Sequence, residues 1–453
     1  MNGSLVQYFR RLLLPVLFSM PCLLWANEAA LPVPLTLEFA LGLASADHPE
    51  LQIEVAELAR AKAEQQRVDA ETGVNVTLLG RLRWVDPPSS PIIKESRDDH
   101  LIKLSLEKSL YDFGRSTAKE NITLAERNQR ALIYLDTFAR HRISIMAAFF
   151  DVLLADQAYA RDTEEMSMTF VNSDRARERN ELGQLSDIEL METLSLFQAS
   201  RLRQARSEAA QRTSRARLAD LLNRPGQLSE ELSIPQLSFT ARKLPEDVND
   251  WFAELEQGNP QLRAVMAQQA SAKAQLNLAR ADNNPVLLGQ LEVAEYTRTF
   301  GGNDNWRAGI SLDIPLFDGG RSAALQARSR AELRKVEANL EQQRRVLRQE
   351  LLDIWTELQT LQVEKQSLAS DQEYRDLYLD LRRAQYELEV ASDLGDAMVS
   401  MSVLRYRVMR ADFATALAWA RIDALLGWRD GDNETLNTEK AMDASADNNS
   451  HVD

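Results

Sequence analysis

From Val74 to Val85 apolar and polar residues take turns, with Val74, Val76, Leu78, Leu82 and Trp84 on one side and Asn75, Thr77, Arg81 and Arg83 on the other. A period of two predicts a strand with one oily and one wet face. After the turn residues Pro87-Pro88-Ser89-Ser90-Pro91, a second run from His100 to Leu110 sets Ile102, Leu104, Leu106 and Leu110 against Lys103, Ser105, Glu107 and Ser109. The pattern then becomes one of helical heptads, and from Gly114 to about Asn180 neither proline nor another glycine interrupts it. At 1.5 Å per residue this is a helix of roughly 100 Å, too long for a compact globular domain. The turn Leu182 to Asp187, around Gly183, sends the chain back along Ile188 to Asn223, where Arg224-Pro225-Gly226 stops it. Ahead of the strands a helix is expected from Thr36, a capping residue, with Glu38 in its first turn. It pauses at His48-Pro49 and resumes from Glu50 to about Glu71.

The same order then returns. A helix from Pro245 to Glu256 breaks at Gly258-Asn259-Pro260 and resumes to about Asp282, followed by strands at Val286 to Thr299 and Trp306 to Leu316 with Gly301-Gly302-Asn303-Asp304 between them. A long helix from Gly320 to Glu387, a turn, and a helix from Met398 to Trp428 complete it. Both copies carry the same punctuation, Leu110-Tyr111-Asp112-Phe113-Gly114-Arg115 and Leu316-Phe317-Asp318-Gly319-Gly320-Arg321, about 206 positions apart. The chain therefore divides into a first repeat, 27–234, a linker, 235–245, and a second repeat, 246–428. The long helices are expected side by side, forming a helical cylinder with the returning helices and burying heptad-spaced Leu, Ile and Ala.

Composition narrows the function. Residues 1–26 have two adjacent arginines and an apolar run, Leu12 to Trp25, too short to span a bilayer, the layout of a secretory signal peptide. The single cysteine, Cys22, lies inside that leader, so the mature chain is expected to have no thiol chemistry. Beyond the leader no apolar stretch approaches the length of a transmembrane helix, the best being Ile143 to Ala155 with Asp151 inside it. A net charge of -15 argues against nucleic acid as a partner. The acidic tail, 429–453, is expected to be disordered. His48, His100, His141 and His451 are dispersed without ligand spacing, and no phosphate-binding glycine loop is present. No catalytic site, cofactor or metal is expected.

Four strands of this length match what is needed to cross a bilayer at a tilt. They would leave two open edges in lipid, so the chain must oligomerise to close a barrel, and three copies would give twelve strands. Aromatic residues gather at the strand ends, Trp84, Tyr296, Phe300 and Trp306 at one level and Tyr111, Phe113 and Phe317 at the other. They read as interfacial girdles, or as edge aromatics of a soluble sheet.

Over nearly the whole mature length the chain resembles the TolC-like outer membrane efflux protein family. The residues that carry this are Asp112-Phe113-Gly114-Arg115 and Asp318-Gly319-Gly320-Arg321, the breaks His48-Pro49 and Asn259-Pro260, and the tip turns, in the same order twice. The resemblance implies an α+β fold: a trimeric 12-stranded barrel in the outer membrane, four strands per chain, continued by a long α-helical coiled-coil barrel in the periplasm. It also implies an exit duct of a tripartite efflux or type I secretion system, docked on a periplasmic adaptor protein and an inner-membrane transporter of the RND or ABC type. The alternative is a periplasmic coiled-coil scaffold or adaptor with soluble sheets, which would need charged or buried outer strand faces.

The family closes its tunnel at the tip turns, with a Tyr, a Gly three residues later and a carboxylate pair. In the first copy Asn180 replaces the Tyr, Gly183 matches, Asp187 lies in the turn, and Glu189 and Glu192 fall on the carboxylate positions. The two glutamates share one helix face and could form rings of charge in a trimer, or be ordinary solvated carboxylates. In the second copy Tyr386 matches, Glu389 replaces the Gly and Ala391 replaces the gate arginine, with Asp393 and Asp396 nearby but out of register. Arg81, Arg83, Lys103, Glu107, Glu292, Arg307 and Asp313 read as the wet wall of a wide pore. Arg115 and Arg321 are expected to hold the hinges.

Overall fold

The computed structural model describes residues 31–44, 47–86, 97–227, 231–237, 242–297, 304–388 and 394–427. The signal peptide, the Pro87–Pro91 and Gly301–Asn303 turns, Phe300, Glu389, Ala391, Asp393 and the acidic tail lie outside them.

Each repeat begins with a broken helix. α1, Leu37–Gly42, is capped by Thr36, whose hydroxyl accepts the Phe39 amide at 3.2 Å. α2, Pro49–Thr72, opens with proline at its first turn, where the missing N–H is not needed. β1, Asn75–Arg81, and β2, Leu101–Tyr111, follow, then α3, Arg115–Glu181, and α4, Asp187–Leu221. The second repeat supplies α5, Asn249–Gly258, α6, Pro260–Ala281, β3, Val286–Tyr296, β4, Trp306–Asp313, α7, Arg321–Glu387, and α8, Leu394–Leu426. α3 and α7 have 67 residues each, about 100 Å of helix.

Three strands are shorter than the alternation predicts, β3 ending at Tyr296, before Thr297. β1 ends at Arg81 because the chain beyond it pairs irregularly, through an isolated Trp84 and Asp98 bridge and an Arg83 side chain that bonds Asp99 Oδ2 at 2.6 Å. β4 ends at Asp313, two residues before Pro315, which has no N–H to give a ladder.

The sheet runs β1-β2-β3-β4, all antiparallel, with β1 and β4 at its edges. Register keeps the two faces apart. Leu78, Leu104, Val293 and Trp306 form one cross-strand row, and Thr77, Ser105, Glu292 and Arg307 form the row beside it on the other face.

Below the sheet, α3 pairs with α4 and α7 with α8. The long helices are not simply neighbours, as expected, because α6 and α8 each pack against both of them. One core joins Ile145, Phe149, Phe150 and Val152 of α3 to Leu37 and Ala40 of α1 and Phe413 of α8, with Phe150 and Phe413 stacked at 4.2 Å. α3 is the one helix among the described residues with a stretch apolar enough to cross a membrane, and those four residues are buried. A second core takes Leu340, Leu347, Leu351, Ile354 and Leu358 from α7 against Trp419 and Ile422 of α8 and Leu255 and Leu262 of α5 and α6.

α4 departs from the expected seam. It buries Ser200 and Ser207, while Ile188, Met191, Leu196 and Leu202 are exposed. Small residues let α4 lie close to α3 along this stretch, where Phe197 meets Phe170 at 5.6 Å, and towards its end Leu218 joins the first core.

Candidate functional site

The site has three parts: a wall, two hinges and a tip. On the wall, the face carrying Leu78, Ile102, Leu104, Val293, Trp306 and Ile310 is open to its surroundings, with Leu78 70% and Ile310 71% exposed. A soluble sheet would bury such a face. Of the charges on this face, Lys108 lies opposite Gly289 and Glu295 opposite Ile102, towards the strand ends. The opposite face is polar, and across it Lys103 Nζ meets Glu292 Oε1 at 2.8 Å. Arg307 meets Asp304 at 3.5 Å and Arg83 is taken by Asp99, so these cations are paired.

The hinges turn strand into helix in the same way twice. Gly114 (φ 94°) and Gly320 (φ 88°) occupy the N-cap positions of α3 and α7 in the left-handed region that glycine tolerates. Glycine has no side chain to bond the free first amides. The aspartate two residues earlier does so instead: Asp112 accepts Gly114 N at 3.2 Å and Ser116 N at 2.7 Å, and Asp318 accepts Gly320 N at 2.9 Å and Ser322 N at 2.7 Å. The hydroxyls of Ser116 and Ser322 also donate to these carboxylates. At Asp112 burial works to raise the carboxyl's pKa, but the Ser116 hydroxyl and the surrounding amides outweigh it and hold it low. The Ser322 hydroxyl and amide hold Asp318 low as well. Sequence reading missed the serines, although an Asp followed four residues later by Ser in both copies was the signal.

The hinge arginines reach the end of α6. Arg115 donates to Ala281 O at 3.3 Å and Asp282 O at 2.7 Å, and Arg321 forms an ion pair with Asp282 at 3.1 Å.

At the first tip turn Gly183 (φ 72°) ends α3: its amide bonds Asn180 O at 2.8 Å and the Gln184 amide bonds Arg179 O at 2.8 Å. This double closure is the usual glycine stop of a helix. The Asn180 side chain spans the turn, donating to Leu185 O at 3.0 Å and Asp187 Oδ1 at 2.9 Å. Glu189 faces backwards, its Oε2 accepting from Ser186 N at 3.0 Å and Ser186 Oγ at 2.8 Å, while the Ser186 hydroxyl accepts the Glu189 amide. These Ser186 bonds, the amide first, hold the Glu189 carboxyl below its usual range. Glu192 is exposed. At the second tip Tyr386 is exposed near the end of α7, and Asp396 lies in the first turn of α8.

The structure also joins two of the dispersed histidines. His48, the N-cap of α2, lies with its ring 4.2 Å from that of His141 on α3.

Residues 251–428 match a family model described as outer membrane efflux protein. That segment is similar to the outer membrane efflux protein family, and the chain as a whole has the TolC-like fold. Outer membrane protein OprJ of Pseudomonas aeruginosa is 25% identical over 396 residues, 83% of this chain and 80% of OprJ. Protein CyaE of Bordetella pertussis is 26% identical over 257 residues, 54% of this chain and 53% of CyaE, so the chain spans about half the length of that relative. The outer membrane channel CmeC of Campylobacter jejuni superposes with a TM-score of 0.73 at 12% identity, covering 90% of this chain and 89% of CmeC, a likeness of fold. In this architecture the sheet lies in the outer membrane and the helical part in the periplasm. Proteins of this family are channels, not enzymes.

Proposed function

We propose that the protein is the exit duct of an efflux or secretion system: a homotrimer whose twelve strands enclose a pore, passively conducting substrates passed on by a periplasmic adaptor and an inner-membrane transporter of the RND or ABC type. The observation that carries this is the sheet, which offers an oily face to its surroundings and leaves the outer edges of β1 and β4 without a partner strand among the described residues. Unpaired backbone groups cannot remain in lipid, and pairing β4 of one chain with β1 of the next satisfies them all. The tip turns, with Asn180, Gly183, Asp187, Glu189, Glu192, Tyr386, Asp393 and Asp396, act in this reading as the periplasmic constriction, and their outer side as the adaptor's docking surface. Hinge residues Asp112, Gly114, Arg115, Asp318, Gly320 and Arg321 hold the barrel on the helices.

The test uses single cysteines along Asn75–Arg81 combined with single cysteines along Trp306–Asp313, in a protein with no other cysteine beyond residue 22. Oxidation should link chains into covalent trimers at one consistent register, in the outer membrane fraction. A soluble monomer with no interchain crosslink at any pair would overturn the reading.

A further inference from the structure

His141 is 1% exposed, and neither of its ring nitrogens has a hydrogen-bond partner. A buried imidazole left without partners is costly. Facing it are the two residues that start α2. The His48 ring lies 4.2 Å from it, tilted by 35°, and Glu50 Oε2 lies 3.7 Å from His141 Nδ1, too long for a hydrogen bond. One ligand atom from each of His48, Glu50 and His141 falls within 4.8 Å of the others. Ligands held at about 2.0–2.2 Å from one ion stand roughly 3–3.5 Å apart, so a small inward movement brings these atoms into range.

We propose that His48, Glu50 and His141 form a binding site for a divalent transition-metal ion of the zinc class, pinning the start of α2 to the middle of α3. Two imidazoles and a carboxylate suit zinc with water as a fourth ligand. His48 and Glu50 are accessible from outside, so an ion can enter. The His48 nitrogen nearest the helix accepts the Glu50 amide at 3.3 Å, a long bond that an ion could displace.

The second repeat provides a control within the molecule. Asn259 stands before proline where His48 does, and Leu347 follows the hinge glycine at the same interval as His141. There the cap is fully used, with Asn259 Oδ1 accepting Leu262 N at 2.9 Å and Nδ2 donating to Leu425 O at 3.0 Å, while Leu347 lies in an apolar core. Among the described residues, only the first repeat gathers imidazole and carboxylate ligand atoms at this junction.

Two substitutions copy the second repeat into the first. His48→Asn keeps a capping side chain and His141→Leu fills the buried space, so both are expected to assemble as wild type does. Chelator-treated protein in detergent is titrated with cobalt(II) and followed by its visible absorption and by calorimetry. Wild type should bind one ion per chain with bands of a low-coordinate nitrogen and oxygen site, and each variant should bind about 100-fold more weakly or worse. Zinc should displace the cobalt and raise the melting temperature of wild type only. Absence of stoichiometric cobalt binding to wild type, or equal binding by wild type and His48→Asn, would overturn the proposal.

Discussion

A glycine at a helix start frees the backbone to turn but brings no side chain to hold the first amides. Asp112 and Asp318 supply what Gly114 and Gly320 lack, and they do so only while ionised. Both carboxyls are held low, so the stability they lend is complete above the unfolded aspartate value near ~3.9 and is lost as pH falls through their lower folded values. Replacing both with asparagine should lower the melting temperature at neutral pH and narrow the gap between wild type and variant near pH 2, as followed by circular dichroism. At the tip, Glu189 is engaged by Ser186 while Glu192 is exposed. In planar bilayers Glu192→Ala should therefore weaken divalent-cation block from the periplasmic side more than Glu189→Ala does. Equal effects would mean that the cap opens in the working channel. The sequence placed both glutamates on one helix face, but spacing alone does not reveal that one carboxylate turns back on its own helix.

Helices and strands were largely legible, since two 67-residue runs free of proline, and alternation in the strands, leave little choice of element. Less legible was which apolar residues face the chain's own core. Heptads in α7 point inward at Leu340, Leu347 and Leu351, whereas the first part of α4 buries Ser200 and Ser207 and turns Leu196 and Leu202 outward, with Leu218 joining the core only near its end. A hydrophobic period reports that a partner exists without saying that it belongs to the same chain. The α3 and α4 pairing is testable where Thr169 and Ser200 hydroxyls meet at 2.6 Å, and where Asp156 receives Arg215 Nη2 at 2.7 Å and Gln211 Nε2 at 2.7 Å. Thr169→Cys with Ser200→Cys should form an intrachain disulfide on mild oxidation. A mass shift on thiol labelling that shows both thiols free would refute this packing.

For the whole molecule, the sheet's outer face sets where the protein can reside. Leu104 is at the middle of the oily face, and Leu104→Arg should cost about 2–4 kcal/mol per chain in a bilayer. The expected result is loss of assembled trimer from the outer membrane fraction, while Ser105→Arg on the opposite face assembles and alters conductance. The arginine contacts at the hinges have a wider consequence. Arg115 of the first repeat grips the end of α6, which belongs to the second. Arg321 occupies the same place in the second repeat, and in the proposed trimer the helix end that would succeed it is that of α2 in the adjoining subunit, around Thr72 and Gly73. Among the described residues of one chain, the Arg321 guanidinium forms its ion pair with the side chain of Asp282. Closing the circle would let it change hands, so Arg321→Ala should lower the dissociation temperature of the trimer while Arg115→Ala loosens each chain by itself. Six nearly alike clasps would then fasten the collar where barrel meets tunnel, three of them made before the subunits meet and three only as the last joint shuts.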